Sequence, residues 1–235
     1  MKSVTERVYL TDFILACLAY CLFVGSDSIV KYLGSDYSIV QIIFVNSWFA
    51  LIPIVLYTQT LNGWRKLKKA NFTVHFFRAL TMALALFFGY TGFYRLPMVT
   101  MYSIVFLIPL MITIGSVFFL GEVVRWKRFT AILIGFIGAI ISINPFGTEY
   151  DNYIFLALFC PIFASASYLI VRKYGFKENL FSFLIYGKIL MLVLTGVFAL
   201  FIFKPVSLDH LMLNGAAGLM RGIATCLLYT SPSPR

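Results

Sequence analysis

The sequence predicts an all-α integral membrane protein, and three observations carry that reading. Of 235 residues, 61% are hydrophobic and 12% charged, whereas a soluble domain carries about 25% charged residues. The apolar residues gather into runs long enough to cross a hydrocarbon layer about 30 Å thick. The basic residues fall in short clusters between those runs and alternate between the two sides, as the loops of a multi-pass protein do.

Seven runs reach spanning length, roughly residues 9–33, 37–59, 72–94, 99–121, 129–144, 153–172 and 180–203. The fifth is the shortest and needs its flanks or a locally thinned bilayer to cross. An eighth run, about 211–228, starts and then stops. The expectation is therefore seven complete transmembrane helices plus a partial eighth, with short connections favouring antiparallel neighbours. The first run is too long for a signal-peptide core and no small-residue cleavage pattern closes it, so it reads as a retained helix.

One side collects Lys2 and Arg7, then Arg65, Lys66, Lys68 and Lys69, then Arg125, Lys127 and Arg128, then Arg172, Lys173 and Lys177. The other side has Lys31, Arg95 and Lys204, together with the acids Asp36, Glu149, Asp151 and Asp209. Positive loops mark the cytoplasmic side, which places the N-terminus there. The net charge of +10 is then a matter of topology, and no nucleic-acid partner is expected, because no basic helix or RNP-like motif is present. Trp64 and Trp126 sit beside the basic clusters, as interfacial anchors do.

A weak internal repeat runs through the chain. A shift of 141 residues lays Leu15, Ala16, Ser26, Ile29 and Val30 on Leu156, Ala157, Ser167, Ile170 and Val171. A shift of 143 lays Arg78 on Arg221. Together these set a boundary near Tyr150, after five helices. Five is odd, so the second copy runs with inverted topology, a mark of secondary transporters.

The stretch from Phe76 to Asn144 resembles the EamA branch of the drug/metabolite transporter superfamily. The matching features are Arg78 early in the third helix, the Leu96-Pro97 step after it, Pro109 in the middle of the fourth, Gly121-Glu122 at its end, and Gly135 and Gly138 in the fifth. The resemblance extends over about residues 9–228. It implies a ten-helix parent fold of inverted five-helix repeats, with residues 1–148 as a first EamA repeat and 149–228 as an incomplete second one. The chain is thus expected to be a C-terminally truncated fragment. Its last residues, 229–235, carry two prolines that cannot extend a membrane helix and are expected to be a non-native tail. The implied function is a secondary transporter, permease or exporter, that moves small metabolites across the plasma (inner) membrane by alternating access. Its partners are then the lipid bilayer, a small-molecule solute and a coupling proton or cation, with room for a homodimer.

Polar groups at membrane depth are costly and face a bundle interior or a cavity. Asp27 is the one carboxylate well inside a run. It carries a proton or meets a cationic substrate, or else it sits in an outer vestibule or partners Lys31 one turn on. Lys188 lies deep in the seventh run, either snorkelling to the inner face or meeting an anionic group in the cavity. Asn46 sits mid-way in the second run, for packing or solute contact. Tyr90, Tyr102 and Tyr168 can line an aromatic cavity. Pro109, like Pro161, interrupts its helix and frees carbonyls near the midplane. Arg78 is expected to snorkel or to pair with Glu122, and Glu122 to form a structural or gating ion pair at an inner helix end. The Gly89/Gly92, Gly135/Gly138 and Gly218/Gly222 pairs suit close helix approach.

No HExxH, GxSxG, Walker-A or GxGxxG motif is present. Cys17, Cys21, Cys160 and Cys226 all lie in apolar runs with no CxxC, so no metal site, cofactor or catalytic residue is expected. His75 and His210 fall at opposite helix ends and do not meet in one site. A membrane-embedded lipid-modifying enzyme and a non-transporting structural membrane subunit are the alternatives to a transporter. The enzyme would need a clustered acid, base or metal site, which these residues do not assemble.

Overall fold

The polar residues that separate the apolar runs act as helix caps. Ser38 Oγ accepts from Gln41 N at 3.3 Å, Asn71 Oδ1 from Thr73 N at 3.2 Å, and Asn179 Oδ1 from Phe181 N at 3.1 Å. Each satisfies one of the orphan amides of a helix start. The structure, a computed structural model, describes residues 2–61, 63, 71–123, 126–143, 152–175 and 178–230. Six of the basic loop residues that set the expected topology, Arg65, Lys66, Lys68, Lys69, Arg125 and Lys177, lie outside these.

The helices are α1 (Lys2–Leu33), α2 (Ile39–Thr60), α3 (Phe72–Arg95), α4 (Met98–Val105), α5 (Ile108–Leu120), α6 (Trp126–Ile143), α7 (Tyr153–Ala157), α8 (Phe159–Tyr174), α9 (Leu180–Ile202) and α10 (Leu208–Thr230). Two prolines explain the two breaks. A proline ring clashes with the carbonyl four residues earlier. Four residues before Pro109 is Val105, where α4 ends, and four before Pro161 is Ala157, where α7 ends. Thus α4 and α5 form one interrupted column, as do α7 and α8. At the end of α5, Gly121 adopts the left-handed conformation (φ 67°) that terminates a helix at low cost.

Seven helices among the described residues are long and apolar enough to cross a membrane, counting each interrupted column as one. The eighth run does not stop short: α10 holds 23 residues and is one of the seven. Arg221 depresses the apolar character of this run, but the helix persists because that charge is paired inside the bundle. Residues 229–230, assigned above to the tail, continue α10, and 231–235 lie outside the described residues. The apolar stretch in α6, Phe129–Gly138, is the short one.

The chain runs antiparallel from column to column, between a near side, where α1 begins, and a far side. The bundle is apolar without and buries a set of polar side chains among the apolar ones within. Phe118, Phe119, Leu200 and Phe201 point outward and are mostly exposed, while Asp27, Arg221, Gln41, Asn46 and Ser47 are buried. Such an arrangement suits lipid as the surrounding solvent, and the protein is a multi-pass membrane protein.

α10 packs on α1 and α2, and α3 packs on α7, α8 and α9. Glycines set the closest approaches. A Cβ at Gly218 would lie 2.5 Å from the Asn46 carbonyl oxygen, and one at Gly222 equally close to that of Ala50. A Cβ at Gly89 would meet Cys160 Sγ at 3.1 Å. Gly135 and Gly138 differ from expectation, since among the described residues no atom beyond their own helix turn lies within 4 Å of a Cβ placed at either. They face an apolar recess between α6 and the α4–α5 column, not a tightly packed helix.

The far side is tied shut. Lys31 Nζ donates to the carbonyls of Phe93 (3.0 Å) and Leu96 (2.6 Å) at the end of α3. The Gln41 amide donates to the Lys204 carbonyl at 2.7 Å and accepts from Lys204 N at 3.0 Å. Tyr37 Oη and His210 Nδ1 lie 3.0 Å apart. Beneath these contacts Val30, Leu33, Ile42, Phe93, Leu96 and Ile104 form an apolar core.

Candidate functional site

A buried acid needs a buried partner, because an uncompensated charge in low dielectric is expensive. Asp27, 6% exposed on α1, finds it in Arg221, 9% exposed on α10. Asp27 Oδ1 accepts from Arg221 Nη2. Tyr102 Oη, from α4, donates to Asp27 Oδ2 at 3.0 Å. Arg221 Nε donates to Ser26 Oγ at 3.4 Å. The guanidinium lies 5.0 Å from the ring centroid of Tyr90 on α3 and 5.5 Å from that of Phe23, within cation–π range. Four helices meet at this one charge pair.

On the near side of the pair the bundle opens into a cavity of about 330 Å³, at the small end of the range of ligand sites, roughly 300–1,000 Å³. Arg221 and Phe23 form part of its wall, joined by Arg78, Tyr168 and Lys188. Its position follows from helix register. Arg78 and Leu184 lie early in helices that start on the near side, and Val171 and Leu228 lie late in helices that end there. All four line the cavity.

The structure thus brings together Asp27, Tyr90 and Tyr102 around Arg221, and beside them Tyr168, Lys188 and Arg78. It leaves three sequence candidates elsewhere. Asn46 is buried where α2 meets α10, and its Nδ2 has no hydrogen-bond partner among the described residues. Pro109 lines the apolar recess beside α6. Glu122 is on the near-side surface.

Two expected pairings are replaced by others. Asp27 meets Arg221 rather than Lys31, whose ammonium is turned to the far-side carbonyls. Glu122 pairs with Arg172 at 2.8 Å, not with Arg78. The reason is register: Glu122 follows α5 and Arg172 ends α8, and these packed helices finish on the same side. Arg78 instead donates to the Phe183 carbonyl and lies 5.5 Å from the Phe183 ring centroid. The Glu122–Arg172 pair is more than a third exposed on both partners. Exposed pairs contribute at most about 1 kcal/mol, so Glu122→Gln is expected to leave the detergent unfolding midpoint nearly unchanged.

Sequence reasoning missed Arg221 as a site residue. The signal was available: one acid and one arginine deep in separate runs call for each other. His75 and His210 are far apart, as expected. His75 Nε2 sits 3.4 Å from Glu178 Oε2 on the near side, and His210 is on the far side.

A model of the EamA-like transporter family matches residues 11–144. The chain is 30% identical over 196 residues to an S-adenosylmethionine uptake transporter of Rickettsia felis, covering 80% of this chain and 64% of that protein. It is 25% identical over 209 residues to a riboflavin transporter of Vibrio cholerae, covering 84% and 68%. It is 21% identical over 174 residues to a pseudopaline exporter of Pseudomonas aeruginosa, covering 74% and 61%. The chain thus spans less than two thirds of the Rickettsia relative's length.

Proposed function

The chain belongs to the EamA-like transporter family, and from that premise we propose that the protein is a secondary transporter carrying small metabolites across the plasma membrane by alternating access. One observation carries the reading. A cavity lined largely by apolar side chains but carrying Arg78, Lys188 and Arg221 lies inside the bundle, bounded by helices from both halves of the chain, with a buried charge pair at its end and an apolar core beyond. A solute held there would have access to one side only, which is one half of an alternating-access cycle.

The remaining assignments are part of the same proposal. Residues 1–148 and 149–228 are two inverted repeats, and their packing supports it: α1 rests on α10 as the α7–α8 column rests on α3. The N-terminal side is cytoplasmic, following the basic loops, so the cavity lies toward the cytoplasm. Asp27 is where a coupling proton or cation would act, by competing with Arg221 for the carboxylate. The protein performs no chemical conversion of its solute. Tyr90 and Tyr102 hold the pair in place, and Tyr168 contributes an aromatic wall for the solute.

S-adenosylmethionine and riboflavin are the first solutes to test, because relatives carry those names. The whole protein in sealed vesicles is expected to show saturable flux of one of them, independent of ATP. Folded protein that moves neither faster than empty vesicles, or that moves either only with ATP hydrolysis, defeats the proposal.

A further inference from the structure

We infer that Lys188 anchors an anionic group of the solute, a carboxylate or a phosphate, within the cavity; this rests on the transport reading and names the chemistry its site selects. The argument begins with charge. Lys188, Arg78 and Arg221 all line the cavity, and no aspartate or glutamate is among its described lining residues. Arg221 is neutralised by Asp27. Arg78 is engaged with the Phe183 carbonyl and ring. Lys188, half-buried, makes no hydrogen bond, ion pair or ring contact among the described residues.

An ammonium held this deep is costly unless something compensates it. Snorkelling is the usual remedy, but Lys188 lies two turns into α9 with its side chain against the cavity. Its neighbour Gly187 deepens the need for a counter-charge. The site of a Cβ there is filled by Arg78 Nη1, so the guanidinium packs directly against the α9 backbone next to Lys188. Two cations side by side repel. An anion bound between them would remove both costs, and the compact ammonium is suited to carboxylate and phosphate oxygens alike. Tyr168, Met82 and Leu86 supply the apolar wall for the rest of the molecule.

The test uses two matched probe pairs on the purified whole protein: S-adenosylmethionine against its decarboxylated counterpart, and riboflavin 5′-phosphate against riboflavin. Affinity is read by ligand-dependent thermal stabilisation. The wild-type protein is expected to bind the carboxylate- or phosphate-bearing member of at least one pair tenfold or more tightly than its partner. Which pair responds tells carboxylate from phosphate. In Lys188→Met, and in Lys188→Gln should the first fold poorly, that preference is expected to fall below twofold. Lys188→Arg is expected to restore it to within threefold of wild type. No anion preference in the wild-type protein, or a preference that survives in both neutral variants, overturns the assignment. Flux in vesicles separates the two readings: anion-selective binding that depends on Lys188, without flux, leaves this assignment standing and removes the transport reading alone.

Discussion

Arg221→Ala is expected to cost the folded protein about 3–5 kcal/mol, the range for removing one partner of a buried ion pair. The reason is what stays behind. Asp27 is 6% exposed, and among the described residues its carboxylate without Arg221 keeps one hydrogen bond, from Tyr102. Four helices also lose their common contact, since the guanidinium touches α1, α3 and α10 and is linked through Asp27 to α4. The unfolding midpoint of the purified protein in detergent reads the loss. The double variant Asp27→Asn, Arg221→Met removes both charges and leaves none uncompensated, so it is expected to recover more than half of it. A change below about 1 kcal/mol in Arg221→Ala would show that water or another cation already satisfies Asp27.

Gly218→Leu is expected to be comparably severe, at about 3 kcal/mol or more, the upper end of the cost of overpacking. A Cβ there would lie 2.5 Å from the Asn46 carbonyl oxygen and 2.7 Å from Phe49 Cβ. Backbone cannot swing aside as a side-chain tip can, so α10 would have to move off α2. That shift would also draw Arg221, less than one turn along α10, away from Asp27. Gly135→Ala is the matched control. Among the described residues nothing beyond its own helix turn lies within 4 Å of a Cβ placed there, and alanine is the better helix former by about 1 kcal/mol. It is expected to be neutral or slightly stabilising in the same melt. Equal losses for the two variants would mean that the crossing of α2 and α10 is looser than these distances state.

What could be read in advance, and what could not, divides along a physical line. Helix breaks were legible because a proline acts on its own chain four residues back, so Pro109 and Pro161 announce their interruptions. Caps at Ser38, Asn71 and Asn179 are equally local. The extent of α10 was misjudged because its polar ends, Asp209–His210 and Tyr229–Thr230, carry little hydropathy signal, and the partner of Arg221 within it is 194 positions away. Glu122 was matched with Arg78 because both belong to one stretch of sequence. Its actual partner, Arg172, is fixed by which helices end side by side. The depth of Lys188 was visible in the sequence. Its cavity was not, because the wall is assembled from α1, α2, α3, α8, α9 and α10.

The span between Asp27 and Arg221 also bears on how the protein is made. A chain delivered to the membrane from its N-terminus inserts α1 long before α10 has been synthesised. An aspartate at the centre of a lone helix costs roughly 2.5–3.5 kcal/mol on insertion, and Asp27, less than two turns from the end of α1, bears a part of that. The apolar bulk of α1 must carry that cost until α10 is made. Only when α10 arrives does the carboxylate acquire its guanidinium, and the last of these helices to emerge is the one that secures the first.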